Sequence, residues 1–421
     1  MGFADYYLGR QKGFTSRITD PPSAKLGFVI VIPAFCEPGI TDALQSLWNC
    51  QRPERYTEVL VVVNSSRQAS EEIIESNASS IRSASEWILQ HQDPAIQFYI
   101  LHVPDMPVKD AGVGLARKTG MDEALNRFNL ISNPSGYILS FDADSICDPN
   151  YLTALEHVFD ADREIKGFDV YFEHPVQGDE FPEHIYKGIV GYELHLRYLN
   201  QFLRFIGFPF AHHTIGSCFG VRADMYAAQG GMNKRKAGED FYFLHKIIPL
   251  GHFTDINNTR VIPSPRESFR VPFGTGAAIG KFSESREILT YVPECFLVLK
   301  ELFDKVSSLY KIDSGGMDAF IHSFPEPLKN FLLLNKASVA MTEINANSGS
   351  LNSFTKRFFR WFDAFRIIKF LNYSARDYYP QIPVRLAANR LLEILDSQRH
   401  AEDEKILLQI FRTLERKGSL T

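Results

Sequence analysis

Two aspartates one residue apart, Asp142 and Asp144, stand at the end of the apolar run Tyr137-Ile-Leu-Ser-Phe141. Carboxylates spaced this way in a turn can converge on one divalent cation, because hard cations of the Mg²⁺ or Mn²⁺ kind take oxygen ligands. A cation held there would face a diphosphate. The competing local role for Asp142 and Asp148 is that of turn and N-cap residues, ahead of the helical pattern opened by Pro149-Asn150. A second acid pair, Glu239-Asp240, follows Gly238 and heads the run Phe241-Tyr-Phe-Leu-His-Lys-Ile-Ile. Carboxylates are favoured at such a helix start by the positive end of its dipole.

These acids need a scaffold, and the chain before them supplies one. Gly27–Ile32, Glu58–Val63, Ile96–Val103 and the run ending at Phe141 are rich in β-branched and aliphatic residues. Runs apolar on both faces suit strands of a parallel sheet buried under helices. Helical periodicity separates them: Ile40, Ala43, Leu44 and Leu47 after the first strand, a polar helix to about Gln92, and a helix opened by Gly112-Val-Gly114-Leu-Ala116-Arg117-Lys118. Such alternation means βαβ units and a doubly wound sheet. Ligands bind such sheets outside the carboxyl ends of the strands, where the acids and arginines fall. Further strands are expected at Gly167–Phe172 and over His212–Arg222, with an aromatic helical pattern over 182–205. From about residue 284 the composition turns to Leu, Phe, Lys and Glu with helical spacing, and five or six helices are expected there. The block Phe354–Phe370 reads as a membrane-surface helix or as an aromatic stripe in a helical core with solvated charges. The expected organisation is an irregular lead-in over 1–25, a catalytic domain over 26–283 and a helical region over 284–421.

Composition narrows the function classes. A 421-residue chain with 45% hydrophobic and 23% charged residues has enough apolar material for a large core. A formal charge of −5 argues against a nucleic-acid binder that relies on a basic surface. The 5 cysteines lack CxxC spacing, which fits a reducing compartment better than a disulfide framework or a zinc site. No secretory leader pattern opens the chain, and no apolar run approaches the ~18 residues of a membrane span. The expected location is cytoplasmic, with peripheral contact at the inner face of a membrane if the Phe354–Phe370 block touches lipid. Gly112-x-Gly114 lacks the third glycine of a dinucleotide fingerprint and follows the third strand, against a dehydrogenase.

Taken in order, Ile32-Pro33-Ala34-Phe-Cys-Glu37, Val62-Val63-Asn64, Gly114-x-Ala116-Arg117, Asp142-Ala-Asp144 and Glu239-Asp240 resemble the motif series of inverting family 2 glycosyltransferases. The likeness covers roughly residues 26–275. It implies the nucleotide-diphospho-sugar transferase (GT-A) fold, an α/β architecture, here with a C-terminal all-helical appendage. It also implies transfer of a sugar from a UDP- or GDP-sugar to an acceptor hydroxyl, with a glycan or lipid-linked sugar as the expected acceptor. On that resemblance Pro33, Ala34 and Glu37 would line the nucleoside pocket. Asn64 stands where the family usually has a base-reading Asp, and Arg117 matches the arginine of an Ala-Arg-Asn element whose Asn is here Lys118. Asp142 would contact the ribose and assist the metal, Asp144 would ligate it, and Asp240 would be the catalytic base, with Glu239 beside it to tune its pKa. Arg266 and Arg270 frame a glycine-containing loop, and their guanidinium forks suit the donor's phosphates; a surface turn is the other reading. His212 and His213 are candidates for the acceptor side, against a structural hydrogen-bonding role. Two other functions fit parts of the pattern. A non-catalytic nucleotide-sugar scaffold would explain Asn64 and Lys118. A haloacid-dehalogenase-type phosphatase would use the first Asp of Phe141-Asp-Ala-Asp as nucleophile.

Overall fold

The computed structural model describes residues 2–11, 13–268 and 274–417. In chain order these form α1 (Asp5–Arg10), β1 (Leu26–Ala34), α2 (Ile40–Trp48), β2 (Tyr56–Ser66), α3 (Glu71–Gln90), β3 (Ile96–Met106), α4 (Val113–Leu130), β4 (Tyr137–Ser140), β5 (Ile146–Cys147) and α5 (Tyr151–Ala161). There follow β6 (Gly167–Phe172), α6 (Glu183–Phe205), β7 (Phe219–Arg222), α7 (Ala223–Ala228), α8 (Glu239–Ile247), β8 (Phe253–Ile262) and α9 (Thr275–Ser285). Two compact units result, Met1–Gly178 with His213–Ala277, and Asp179–His212 with Ala278–Thr421.

The first unit is built on an eight-stranded sheet in the order β3-β2-β1-β4-β7-β6-β8-β5. β1 is buried at every position, and β2 at all but its two ends, as apolar strands covered on both faces must be. The four strands expected from the sequence form its parallel half: β1 runs parallel to β2 and β4, and β2 parallel to β3. Register brings their carboxyl ends level, with Ala34 opposite Val63 and Val31 opposite Ser140. Strand order reverses at β1, so the chain leaving β4 emerges beside the loop leaving β1, at a topological switch point. β7 closes this half by running antiparallel to both β4 and β6. The strand expected over His212–Arg222 is confined to Phe219–Arg222, because an Ile215–Cys218 turn and a hydrogen bond from Ser140 to the Gly216 carbonyl hold the preceding residues out of the ladder. β8 had no bounds in the sequence reading.

Helix α4 carries an unusual load of buried charge: Arg117, Lys118, Asp122, Glu123 and Arg127. The lead-in satisfies much of it. Tyr7 of α1 donates to Asp122 at 2.7 Å and accepts from Lys118 at 2.7 Å, and Ser16 donates to Glu123 at 3.0 Å. Arg127 pairs with Glu58 of β2 at 2.6 Å and donates to the Asp20 carbonyl. The first twenty residues thus include one short helix and serve as the polar cover of α4. Gly114 is required where α4 begins, since a Cβ there would lie 2.0 Å from the Arg235 carbonyl oxygen.

The second unit gathers α6 with β9 (Leu289–Thr290), α10 (Pro293–Asp304), α11 (Ser314–His322), α12 (Glu326–Leu334), α13 (Ala337–Ala346), α14 (Leu351–Trp361), α15 (Ala364–Asp377), β10 (Ile382–Pro383), α16 (Val384–Ile394) and α17 (Glu404–Arg416). Among the described residues, the stretch beyond residue 284 therefore starts eight α-helices rather than five or six. Side-chain caps at Asp313, Ser350, Asp363 and Asp403 interrupt what reads as longer apolar periods. α6 packs on α16 and α17, where Glu193 accepts from Arg197 at 2.9 Å and from Arg412 at 2.7 Å while Arg197 reaches Glu415 at 2.5 Å. In α14 and α15, Phe354, Phe358, Phe359, Ile367 and Phe370 are buried, whereas Lys356, Arg357, Arg360 and Lys369 are exposed. The aromatic stripe is core. Among the described residues no helix is long and apolar enough to cross a membrane.

Candidate active site

The loop after β1 and the turn after β4 meet at the carboxyl edge of the sheet. Phe141 donates its N–H to the Val31 carbonyl at 3.1 Å, carrying the β1–β4 pairing one residue past the strand and releasing Asp142 just beyond it. Ser145 donates back to the Asp142 carbonyl at 3.1 Å, so Asp142 and Asp144 sit on a closed turn. This is the geometry in which acids one residue apart can serve the same ligand.

Arg117, in the second turn of α4, connects this turn to the second acid pair. One terminal nitrogen donates to Asp142 at 2.6 Å and the other pairs with Glu239. The guanidinium is 2% exposed, Glu239 is buried as well, and the Asp142 carboxylate is 38% exposed. A planar fork can hold two carboxylates at fixed angles, which an ammonium cannot. Its Nε has no partner among the described residues. Asp240 lies next to this fork in the first turn of α8, half-buried, with one carboxylate oxygen accepting from the Phe241 N–H at 2.7 Å. Burial raises the pKa of Asp240, with the charge of Asp142 adding to the rise, while Arg117 and the N–H bond oppose it. The anionic neighbour that adds to this rise is Asp142. Gly216 lines the same point: a Cβ there would come within 3.0 Å of the Asp240 carboxylate and 3.1 Å of Arg117.

Arg266 makes a second clasp. It donates to Glu37 at 2.8 Å and to Asp144 at 2.7 Å, joining the loop after β1 to the Asp142–Asp144 turn. Burial pushes the Asp144 carboxyl up to about 6 even so, with Asp142 and Glu37 reinforcing the rise against Arg266. Three carboxylates thus crowd around one guanidinium. This oxygen-rich donor set fits a hard divalent cation.

The remaining expected residues divide. Pro33 and Ala34 are buried at the end of β1, and Asn64 at the end of β2 donates to the Ala34 carbonyl at 2.9 Å. Asn77 of α3, which the sequence reading did not single out, donates to the Asn64 carbonyl at 2.9 Å and accepts from the Cys36 N–H at 2.9 Å. The side chain where a base-reading Asp was expected is a backbone tie. Lys118 is likewise engaged, by Tyr7 and by Asp122 at 2.9 Å. His213 is buried and its N–H donates to Asp169 at 2.8 Å, while its ring stands edge-on to Phe172. His212 is half-buried, with its N–H on the Phe210 carbonyl. Arg270 lies outside the described residues. Asn77 was not legible from the sequence, because an amide in a helix signals no chemistry and its role here is to tie the loop after β1 to the end of β2.

Residues 29–229 match the family model described as glycosyl transferase family 2, a stretch that takes in Glu37, Asn64, Arg117, Asp142 and Asp144. No curated protein matches the chain. Among solved structures the chain is similar to TarS 1-349 of S. aureus, at 13% identity over 81% of this chain and 91% of that one, with a TM-score of 0.39. The complex of TarS 1-349 with UDP-GlcNAc matches at 13% identity over 94% and 93%, with a TM-score of 0.40. The mannosyltransferase PcManGT from Pyrobaculum calidifontis, in complex with GDP-Man and Mn²⁺, matches at 14% identity over 88% and 92%, with a TM-score of 0.36. Residues 29–229, whose parallel strands end in these acids, match glycosyl transferase family 2, and with that segment the chain is a glycosyltransferase of the GT-A fold.

Proposed function

We propose that the chain transfers a sugar, with inversion, from a UDP- or GDP-sugar to an acceptor hydroxyl, using a divalent cation at Asp144 and Asp142 and Asp240 as base. The observation that carries this reading is the Arg117 fork, which sets the Asp142 turn and the Glu239-Asp240 helix start at one point. Donor-side acids and a candidate base lie together, as a single displacement requires. Mg²⁺ or Mn²⁺ bound there supplies neutralisation of the charge that develops on the departing diphosphate. Asp142 and Asp144 hold the donor end. Arg266, now on Glu37 and Asp144, is placed to turn its fork to a phosphate when one arrives. Pro33, Ala34 and Glu37 border the nucleoside, while Asn64 supports that border from behind through its bond to Ala34.

The acceptor hydroxyl is a poor nucleophile until its proton is taken. Asp240, its pKa raised by burial, is a stronger base than a solvated carboxylate and can take that proton as the bond to the anomeric carbon forms. Arg117 keeps Asp142 and Glu239 in place during the step, and Arg270, His212 and His213 are proposed at the donor and acceptor margins. A glycan or lipid-linked sugar is the proposed acceptor, in the cytoplasm, with residues 26–283 as the catalytic segment. Thermal unfolding with UDP, GDP and their sugars, with and without Mn²⁺, tests this reading. A metal-dependent rise is expected for one nucleotide series, since a ligand at 100 times its Kd adds about 2.7 kcal/mol. No metal-dependent shift with any UDP or GDP species refutes it.

A further inference from the structure

We propose that Cys50 and Cys147 form a reversible disulfide that fastens the end of α2 to the strand following Asp142-Ala-Asp144 and slows transfer. All five cysteines are free thiols, and the Cys50 and Cys147 sulfurs lie 3.6 Å apart although 97 positions separate them in the chain. The backbone on either side is already joined. Cys147 donates its N–H to the Ser46 hydroxyl of α2 at 2.7 Å, and Gln51 donates to the Pro149 carbonyl at 2.7 Å. With both segments anchored, the sulfurs have only to close by about 1.5 Å to reach the ~2.05 Å of a disulfide.

The two thiols are not equivalent. The hydrogen bond from Cys147 lowers the pKa of Cys50, with Arg52 acting in the same direction, whereas burial pushes the Cys147 thiol up. Cys50 is therefore the thiolate that attacks a peroxide, the oxidant class we assign. Its sulfur takes one peroxide oxygen as a sulfenic acid, and the other oxygen, with a proton, leaves as water. Cys147 then attacks that sulfur, its proton going to the departing hydroxide as a second water. Two thiols and one hydrogen peroxide become one disulfide and two waters, and a cellular dithiol reverses the change. Cys147 lies in β5, three residues beyond Asp144 and directly after its turn, so drawing it towards α2 moves the Asp142–Asp144 turn. A shift of ~1 Å in a reacting constellation can cost about 10²-fold in rate. The effect on transfer rests on the proposed role of Asp144; the bond itself does not.

The test treats the full chain with hydrogen peroxide, blocks remaining thiols and maps peptides by mass before and after dithiothreitol. The expected product is a Cys50–Cys147 linked peptide, lighter by two hydrogens than the separate peptides, absent after reduction and absent from Cys50→Ser and Cys147→Ser. Transfer by the wild type should fall by about tenfold or more on oxidation and return on reduction, with Cys50→Ser unaffected. Oxidation confined to half-buried Cys36, with Cys50 and Cys147 still blocked as thiols, overturns the proposal. A linked peptide with unchanged transfer overturns its regulatory half. A reduced protein inactive with every donor counts against the assigned function instead, and the peptide map still decides whether the bond forms.

Discussion

Replacing Arg117 by Met keeps an unbranched stem and removes the guanidinium that Asp142 and Glu239 share. The two carboxylates stand differently towards water. Glu239 is 3% exposed, so its charge would be left in the interior without a partner. Breaking a buried pair from one side costs about 3–5 kcal/mol. Asp142, 38% exposed, can recruit water and loses no more than ~1 kcal/mol, as an exposed pair does. The whole loss is then about 3–5 kcal/mol, a large part of the ~5–15 kcal/mol that holds a typical domain together. Urea unfolding should show it as a midpoint lowered by about 1 M or more, at a slope of about 1–3 kcal/mol/M. Glu239→Gln separates charge from packing. In the double variant no stranded carboxylate remains, so at least half of the loss should return, as a coupling of roughly 1–3 kcal/mol. Additivity of the two changes to within ~0.5 kcal/mol would refute the argument that Arg117 holds the site by charge.

Asp240→Asn removes the proposed base and keeps the shape; transfer should fall by about 10²–10⁴-fold while the donor's Kd stays put, and undiminished transfer would show the base lies elsewhere. Because burial raises the Asp240 pKa and a base works deprotonated, kcat of the wild type should decline as pH falls through that raised value. Asp144 makes a second pH prediction. Its folded pKa of about 6 lies above the ordinary 3.8, so between these values the folded chain holds a proton that the unfolded chain has lost. Stability therefore declines as pH rises through that window, by on the order of 1–3 kcal/mol, and Asp144→Asn should unfold later than wild type at pH ~7.5 but not near pH ~3.5. The same proton must leave when a cation binds, so calorimetry in buffers of different ionisation enthalpy should detect proton release with Mn²⁺ and nucleotide at pH ~6 and little at pH ~8. Asn64→Asp restores the residue type the family pattern expects, yet a carboxylate cannot donate to the Ala34 carbonyl; it should cost about 1–3 kcal/mol, and an unchanged Tm would show that the tie is idle.

What the sequence made legible follows from range. The strands β1 to β4 are continuous apolar runs, a local signal, and their expected positions agree with the structure within a few residues. Asp142, Asp144 and Glu239-Asp240 were visible because carboxylates at strand ends and helix starts are also local. The wiring between them was not. Arg117 meets Glu239 across 122 positions, and Arg266 meets Glu37 across 229. No periodicity encodes such a pairing. Asn64 looked like a lost ligand because its hydrogen-bond partner is a backbone carbonyl of another strand. α6 falls within residues 26–283 by its place in the chain, and nothing local announces that its Glu193 and Arg197 find partners on α17. Buried ion pairs thus account for much of what local reading could not supply.

Charge would also give these acids a reason to hold a cation as well as the arginines. Glu37, Asp142, Asp144, Glu239 and Asp240 are five carboxylates, and Arg117 and Arg266 are the two guanidiniums that touch four of them. With all seven ionised, three negative charges are left over. A nucleoside diphosphate brings roughly two more, and like charges ~4 Å apart repel by about 4 kcal/mol at an effective dielectric of 20. The raised Asp144 carboxyl is the site's partial answer when empty, since a shared proton removes one of the three. A divalent cation held by Asp142 and Asp144 would answer more completely, since it would cancel two and leave Arg266 free to turn to the donor's phosphates. Donor binding without metal should accordingly be weakest where Asp144 is ionised, above pH ~7, and metal dependence should grow with pH across the Asp144 titration. Equal metal dependence at pH ~5 and pH ~8 would mean that Asp144 is not where the cation is held.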